Sequence, residues 1–450
     1  MQDLNPLAIE LNAQIQFADA VVFDLLSSLG KRIYLPKGIL SQSAEAAQNA
    51  DRFNATRAIA LEDGHAMRLS SSCQFVPKLD SDLVYGYPPA LGQMNLRQRW
   101  KDKLRTENPS LKGKGFGLPI VTCGMTQGFS LIGDLFVDPD DVLILSDKIW
   151  GNYRLIFQTK CGAEMQTYPF YNADGTFNTA GFCERVKESS RTRSKLILLL
   201  NFPHNPTGYA ITAAEAEQIT QTIAQVAASG CRLLVLVDDA YFGLWYDDHV
   251  LQESIFAWLV DVHPNVLPIK IDGATKEEYA WGLRVGFLTV GRDGDVMKGF
   301  EGKMTGLIRA NTSGASQLSQ TLVLEAMNAP QYTEEKRQKY EILKSRASKV
   351  KRIATDSRYT DLWEVYPFNA GYFMCLRLRS VDAEVVRKRL LSEHGIGVIA
   401  LEGTDLRVAF SCLEESAIEV VFHTIAQVII DLQDRKFPGE DDTSSQVQWL

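Results

Sequence analysis

The chain has 450 residues, 45% of them hydrophobic and 23% charged; these globular proportions exclude a disordered chain, a collagen-like repeat and a disulfide miniprotein. Lys plus Arg number 47 against 55 for Asp plus Glu, a formal charge of −8, so the basic surplus that nucleic-acid phosphates demand is missing. Seven scattered cysteines, never in a C-x-x-C pair, and histidines without metal-ligand spacing point to reduced thiols, no metal centre and a cytoplasmic protein.

The chain opens on MQDLNPLAIELN, which has no basic segment followed by an apolar core, and no later stretch reaches the roughly 18 apolar residues of a membrane span. Residues 1–80 hold seven basic and nine acidic residues and are not a basic arm. From about 118 to 291 short apolar runs alternate with amphipathic segments. The runs are PIVTC (119–123), VLIL (142–145), LILLL (196–200), LLVLV (233–237), VLPIKI (266–271) and VGFLTV (285–290). They are continuous rather than alternating, as in strands buried on both faces of a mainly parallel sheet. Among the helices between them, the clearest begins at Thr212. Glu215 completes a capping box there, Ile219, Ile223 and Val226 form its stripe, and Gly230 stops it. This alternation predicts a doubly wound α/β unit. Beyond it, a charged helix over 331–355 leads to an α+β region: a strand at 371–378, a helix near 381–394, a strand at 406–411 and a helix near 414–434. The last residues, GEDDTSSQVQWL, read as a mobile tail.

Ligands of open α/β sheets bind at the carboxyl ends of the strands, and here the polar residues cluster directly after the apolar runs. TCGMTQGF (122–129) joins a strand to an amphipathic helix whose first N–H groups form an anion site, although alone it reads equally as an ordinary strand–helix turn. Trp150 follows the second run. NFPHNPTG (201–208) makes a rigid turn that presents the Asn205 amide. VLVDDAY places Asp238 where a buried strand ends, a costly position unless a cation meets it, and half of a structural salt bridge is the plainer reading. In DGATKEEYAWGLRVGF (272–287), Lys276 stands beside small residues, with Arg284 eight residues on. KGKGFG (112–117) lies ahead of a strand rather than between a strand and its helix, and is a loop rather than a dinucleotide fingerprint.

Together, N-x-P-x-N-P-T-G, then D-x-A-Y, then [GS]-x-[ST]-K with its following arginine, resemble the class I/II aminotransferases, fold-type I enzymes dependent on pyridoxal 5′-phosphate (PLP). The match runs from about Tyr87 to Arg407. The resemblance implies a large domain with a mainly parallel seven-stranded sheet between helices, and a smaller α+β domain built from N- and C-terminal segments. The expected division is 1–80 as arm and part of the small domain, 81–316 as the PLP-binding domain, 317–436 as the small domain and 437–450 as tail.

By the same resemblance Lys276 is the Schiff-base lysine and proton shuttle, and Asp238 pairs with the pyridinium nitrogen. Tyr241 and Asn205 bond the ring's phenolic oxygen, and Trp150 stacks on the ring. Gly124, Met125 and Thr126 cradle the phosphate with Arg284 as countercharge. Arg407 grips the substrate α-carboxylate. Tyr87, in GYPPALGQMNLR, reaches the phosphate of a neighbouring subunit, which implies a homodimer with shared sites. LIRANTS (307–313) resembles the segment that presents an arginine to a dicarboxylate in aspartate aminotransferases, so Arg309 is a candidate for acidic side chains, and a structural arginine is the alternative.

The implied activity is exchange of an amino group between an L-amino acid and a 2-oxo acid by a ping-pong mechanism, without nucleic acid or membrane. A lyase performing β- or γ-elimination would use the same residues. A cofactor-binding sensor is a third reading, but nothing in residues 1–80 reads as a helix-turn-helix. Three positions depart from the family pattern: Tyr279 is usually small, Asp147 is often proline, and Gly273 stands where some members place a serine.

Overall fold

Leucine and β-branched runs that are apolar on both faces need helices on both sides, and that demand sets the architecture. The computed structural model describes residues 4–18, 31, 39–56, 59–71, 79, 81–401 and 403–434. The tail and parts of residues 1–80 therefore lie outside the described residues. The six runs become β1 (Ile120–Cys123), β2 (Val142–Ser146), β4 (Lys195–Asn201), β5 (Arg232–Asp238), β6 (Val266–Gly273) and β7 (Val285–Val290). A seventh strand, β3 (Glu164–Tyr168), joins them in the order β1-β7-β6-β5-β4-β2-β3. β7 runs antiparallel to both neighbours and the remaining pairs are parallel.

Alternate side chains of one strand enter two different cores. Leu196, Leu198 and Leu200 face the core that holds Ile219 and Ile223 of the helix Ala213–Ala228. Ile197 and Leu199 face the core that holds Phe129 and Ile132 of the helix Gly124–Phe136. Each fully buried Leu or Ile contributes about 1.5–3 kcal/mol, so one seven-residue strand loads both faces heavily. The capping box closes as expected, with Thr212 accepting from the Glu215 N–H while Glu215 accepts from the Thr212 N–H. Parallel register sets Asn201 level with Asp238, and Asp238 level with Ile271, so these strands finish at one edge.

A second sheet is antiparallel throughout: β8 (Trp363–Val365), β9 (Phe373–Leu378), β10 (Ile399–Ala400) and β11 (Asp405–Ala409), in the order β8-β9-β11-β10. It shares a third core with the helices Ala383–His394 and Ile418–Asp434 and with the last turns of the helix Tyr332–Ala354. N-terminal residues enter this unit, since Phe53–Asn54 pairs in parallel with Ile396–Gly397 and Ala55 sits in the same core. Among the described residues no helix is long and apolar enough to cross a membrane, and no His, Cys, Asp and Glu group is arranged to hold a metal.

Candidate active site

A cavity of about 180 Å³ opens at the carboxyl ends of β4, β5 and β6. Met125, Thr126, Trp150, Asn205, Asp238, Tyr241, Lys276 and Arg284 all line it, so residues scattered over 160 positions of sequence meet in one place. β1 delivers the first group. At the start of the helix Gly124–Phe136, Gly124 has φ +72°, and a Cβ added there would lie 2.4 Å from Arg284 Nη2. Glycine thus lets the guanidinium lie against the helix start, where the first N–H groups, those of Met125 and Thr126 among them, lack intrahelical acceptors. A cation beside free N–H donors is an anion site.

β5 delivers Asp238, which is 4% exposed. Its Oδ2 accepts the Tyr153 hydroxyl and its Oδ1 accepts the Ala240 N–H at 3.0 Å. Burial pushes this carboxyl up to about 6, against the pull of the Tyr153 hydrogen bond and the Lys276 charge. Lys276 stands on the one-turn helix Ala274–Glu277 that follows β6, and its Nζ lies 4.8 Å from the centroid of the Tyr241 ring. Desolvation brings its amine down to about 8, with Arg284 adding to the effect and Asp238 opposing it. Near neutral pH such an amine holds a proton that it gives up readily, as a proton carrier must.

β4 delivers the turn after Asn201. The Asn205 N–H donates to Asn201 Oδ1 at 2.9 Å, and Asn201 Nδ2 donates to the Asp238 carbonyl at 3.0 Å. Asn205 Oδ1 accepts from Arg407 Nη1 at 3.2 Å, which connects the first sheet to the second. Arg407, on β11, is 2% exposed, donates to the Thr56 carbonyl at 2.9 Å and lies 4.2 Å from the Phe373 ring centroid. Among the described residues it has no carboxylate partner, its Nε has no acceptor, and the Tyr241 hydroxyl is likewise buried without a partner. Burial lowers the Arg407 pKa from its usual value.

Gly124 and Arg407 do not line the cavity themselves but lie against lining residues, Arg284 and Asn205, and two further expected residues stand apart from it. Tyr87 is 89% exposed, and Arg309 is exposed on the last turn of the helix Asp295–Asn311. That helix end is tied to the anion site through Gln127, whose Nε2 donates to Asn311 at 3.0 Å and Thr312 at 2.9 Å. The glycine-rich 112–117 segment is a loop away from the cavity.

Asn201 and Thr275, both within the segments the sequence singles out, also line the cavity, and so does Tyr153, which escaped the sequence reading. Tyr153 follows Trp150 by one helical turn, packing edge-on to it at 5.3 Å, but nothing in I-W-G-N-Y marks its hydroxyl as a partner of Asp238. The departures from the family pattern have local causes. A Cβ at Gly273 would meet the Val285 carbonyl oxygen at 2.8 Å, which leaves no room for serine. Asp147 Oδ1 accepts the Phe170 N–H at 2.9 Å, and Tyr279 is a buried residue at φ +53° whose N–H donates to the Lys276 carbonyl at 3.2 Å.

Residues 61–425 match the family described as aminotransferase class I and II. The chain is 23% identical over 361 residues to the cytoplasmic aspartate aminotransferase of Caenorhabditis elegans, covering 78% of this chain and 84% of that one. It is 27% identical over 244 residues to a probable N-acetyl-LL-diaminopimelate aminotransferase of Bacillus subtilis, of which it spans 56%. In fold it is similar to an aminotransferase from Anaerococcus prevotii, with a TM-score of 0.80 at 22% identity over 90% of this chain and 98% of that one. It is similar also to the aspartate aminotransferase of Thermus thermophilus with maleate, with a TM-score of 0.68 at 19% identity over 90% and 99%. The chain belongs to the aminotransferase class I and II family, and with that membership come the transaminase class of enzyme and the family's cofactor, pyridoxal 5′-phosphate.

Proposed function

We propose that the protein exchanges an amino group between an L-amino acid and a 2-oxo acid by a ping-pong mechanism, with Lys276 as the amine that holds the cofactor and shuttles the proton. The observation that carries this reading is the meeting of Lys276, Asp238, Arg284 and a buried Tyr241 hydroxyl, unpartnered among the described residues, around one cavity.

The residues present fit PLP group by group. Gly124, Met125, Thr126 and Arg284 suit its phosphate, Asp238 its ring nitrogen, Asn205 and the orphaned Tyr241 hydroxyl its phenolic oxygen, Trp150 its ring face and Lys276 its aldehyde. Bound there, the cofactor supplies an electron sink for the carbanion formed at the substrate Cα. The chain's own residues do the rest. Tyr153 and the Ala240 N–H hold Asp238 so that its charge faces the cavity. Lys276 moves a proton from and to the substrate Cα, helped by an amine pKa brought down toward neutrality. Arg407, buried without a carboxylate partner among the described residues, takes the substrate α-carboxylate by a two-pronged grip, and Asn205 aligns that guanidinium.

Exposed Leu83, Tyr85, Tyr87 and Met94 support a face covered by a second copy, in line with a homodimer in which Tyr87 completes the partner's phosphate site. Arg309, exposed near the anion site, belongs to the same proposal as the reader of a dicarboxylate across that interface. Arg309→Ala is expected to lower kcat/KM for aspartate and glutamate about tenfold while sparing neutral amino acids, and equal rates for all would remove this part. The lack of a disulfide among the six described cysteines and similarity to a relative named as cytoplasmic support a cytoplasmic enzyme. The separate third core, which holds Ala55 and residues from Ala347 on, supports a smaller unit within 317–436 joined by part of 1–80, although Val323 and Met327 of the helix Gln317–Asn328 pack in the first core with the proposed 81–316 unit.

The test is to mix the cofactor-loaded protein with a panel of amino acids and follow conversion of the cofactor to its amine form together with release of the 2-oxo acid. Ammonia and pyruvate released from cysteine or cystathionine without any 2-oxo acceptor would instead establish elimination.

A further inference from the structure

Lys276 stands on a helix of four residues, Ala274–Glu277. One turn has no helical stability of its own, because nucleation costs more than its few hydrogen bonds return. The lysine's place is therefore imposed by what holds its neighbours. Glu277 and Glu278 do not line the cavity and are only 3% and 5% exposed. Glu277 pairs with Lys103 Nζ, from the helix Met94–Glu107, at 2.7 Å. Glu278 Oε1 receives Lys336 Nζ at 3.0 Å and the Tyr332 hydroxyl at 2.7 Å, both from the helix Tyr332–Ala354. The Lys276 carbonyl accepts the Tyr372 hydroxyl, from the residue before β9, at 3.2 Å.

The long helix makes these contacts more than local. Its first turns press Tyr332 and Lys336 against the Lys276 turn, and its last turns carry Ala347, Val350, Ile353 and Ala354 into the third core. β11 lies in that core and bears Arg407. One rigid element thus grips the Glu278 side chain, two residues after the amine, at one end and shares a core with the sheet that bears the guanidinium at the other. The charged groups that shift the Lys276 amine are Asp238 and Arg284.

We propose that Glu278, gripped by Lys336 and Tyr332, is a positioning residue that keeps Lys276 in register with Arg407. The proposal rests on Lys276 being the reactive amine. Register matters because a displacement of about 1 Å at reacting groups costs on the order of a hundredfold in rate.

The test uses the cofactor-loaded enzyme with Lys336→Met, Tyr332→Phe and, as conservative rescue, Lys336→Arg. Lys336→Met strands a buried carboxylate and can unfold the protein, whereas Tyr332→Phe removes one hydroxyl and keeps the test open. The expected result is a kcat lowered about tenfold in Lys336→Met and about threefold in Tyr332→Phe, with KM changed less than about twofold. Lys336→Arg restores most of the rate. Amide hydrogen exchange over residues 270–281 of the cofactor-free variants is faster, and the absorbance titration midpoint of the loaded enzyme does not move. Unchanged kcat and exchange would overturn the proposal, as would a moved midpoint with unchanged exchange. Borohydride trapping separates the two levels: label on Lys276 with unaltered kcat refutes the positioning role alone, and label elsewhere refutes the reading beneath it.

Discussion

At the ends of β5 and β6 the ionisable groups come with partners, whereas β11 offers a guanidinium without one. Asp238 has the Tyr153 hydroxyl, the Ala240 N–H and the charge of Lys276. Arg407 has a carbonyl, an amide oxygen and an aromatic face, but no carboxylate among the described residues. A buried charge costs several kcal/mol unless compensated, so the two sheets play different parts. In the proposed reading the first sheet carries the groups that act on the cofactor, and the second carries the guanidinium that takes the substrate carboxylate. Mutations should separate these parts cleanly.

The largest effect is expected at Lys276. Lys276→Ala should lower kcat by about 10⁴-fold, since no other amine lines the cavity among the described residues. The same substitution should stabilise the cofactor-free protein near neutral pH by about 1–3 kcal/mol. The sign follows from the lowered pKa: the buried amine costs nothing above its unfolded value near 10.5, and the cost is complete once the pH falls through about 8. Denaturant melts of wild type and variant at pH 7 and pH 10 check this, with the gap closing at the higher pH.

Arg407→Lys comes next, with a loss of about a hundredfold in kcat/KM, because an ammonium cannot reproduce the two-pronged grip. Steady-state kinetics should show intact cofactor binding. Weakened cofactor binding in this variant would blur the contrast between the sheets. Tyr153→Phe is expected to be milder. It removes a hydrogen bond that holds the Asp238 carboxyl down, so that pKa should rise above about 6 and more of the carboxylate be protonated near neutrality. Cofactor affinity should fall about tenfold at pH 6 and less at pH 8, measured by equilibrium dialysis.

The smallest shift concerns rate against pH. Capture of added cofactor by the cofactor-free protein should accelerate as pH rises through about 8, because only the neutral amine attacks a carbonyl. Arg284→Ala should move that midpoint upward, since Arg284 disfavours the ammonium form.

Six of the seven strands of the large sheet could be read directly, because β4 and β5 are buried on both faces and spell continuous apolar runs. β3 could not. At the sheet's edge its E-M-Q-T-Y is only half covered, so its composition carries no strand signal, and the seven-stranded count came from family resemblance. Asp238, Asn205 and Lys276 were legible because polar residues interrupt apolar runs where strands end. Tyr153 was not, since an aromatic residue on a helix reads as core until its hydroxyl is seen on a carboxylate. The burial of Glu277 and Glu278 was equally hidden: two adjacent acids after a lysine read as solvated surface, and only the lysines from distant helices reverse that. Tyr87 and Arg309 were chosen by resemblance alone, and a single chain leaves both outside the cavity.

The most direct measurement is reduction of the cofactor-loaded protein with borohydride, followed by mass mapping of its peptides. The account predicts one phosphopyridoxyl group per chain, on the peptide carrying residue 276, and none in Lys276→Ala. A modified side chain elsewhere, or a wild-type protein that takes up no label, would contradict it.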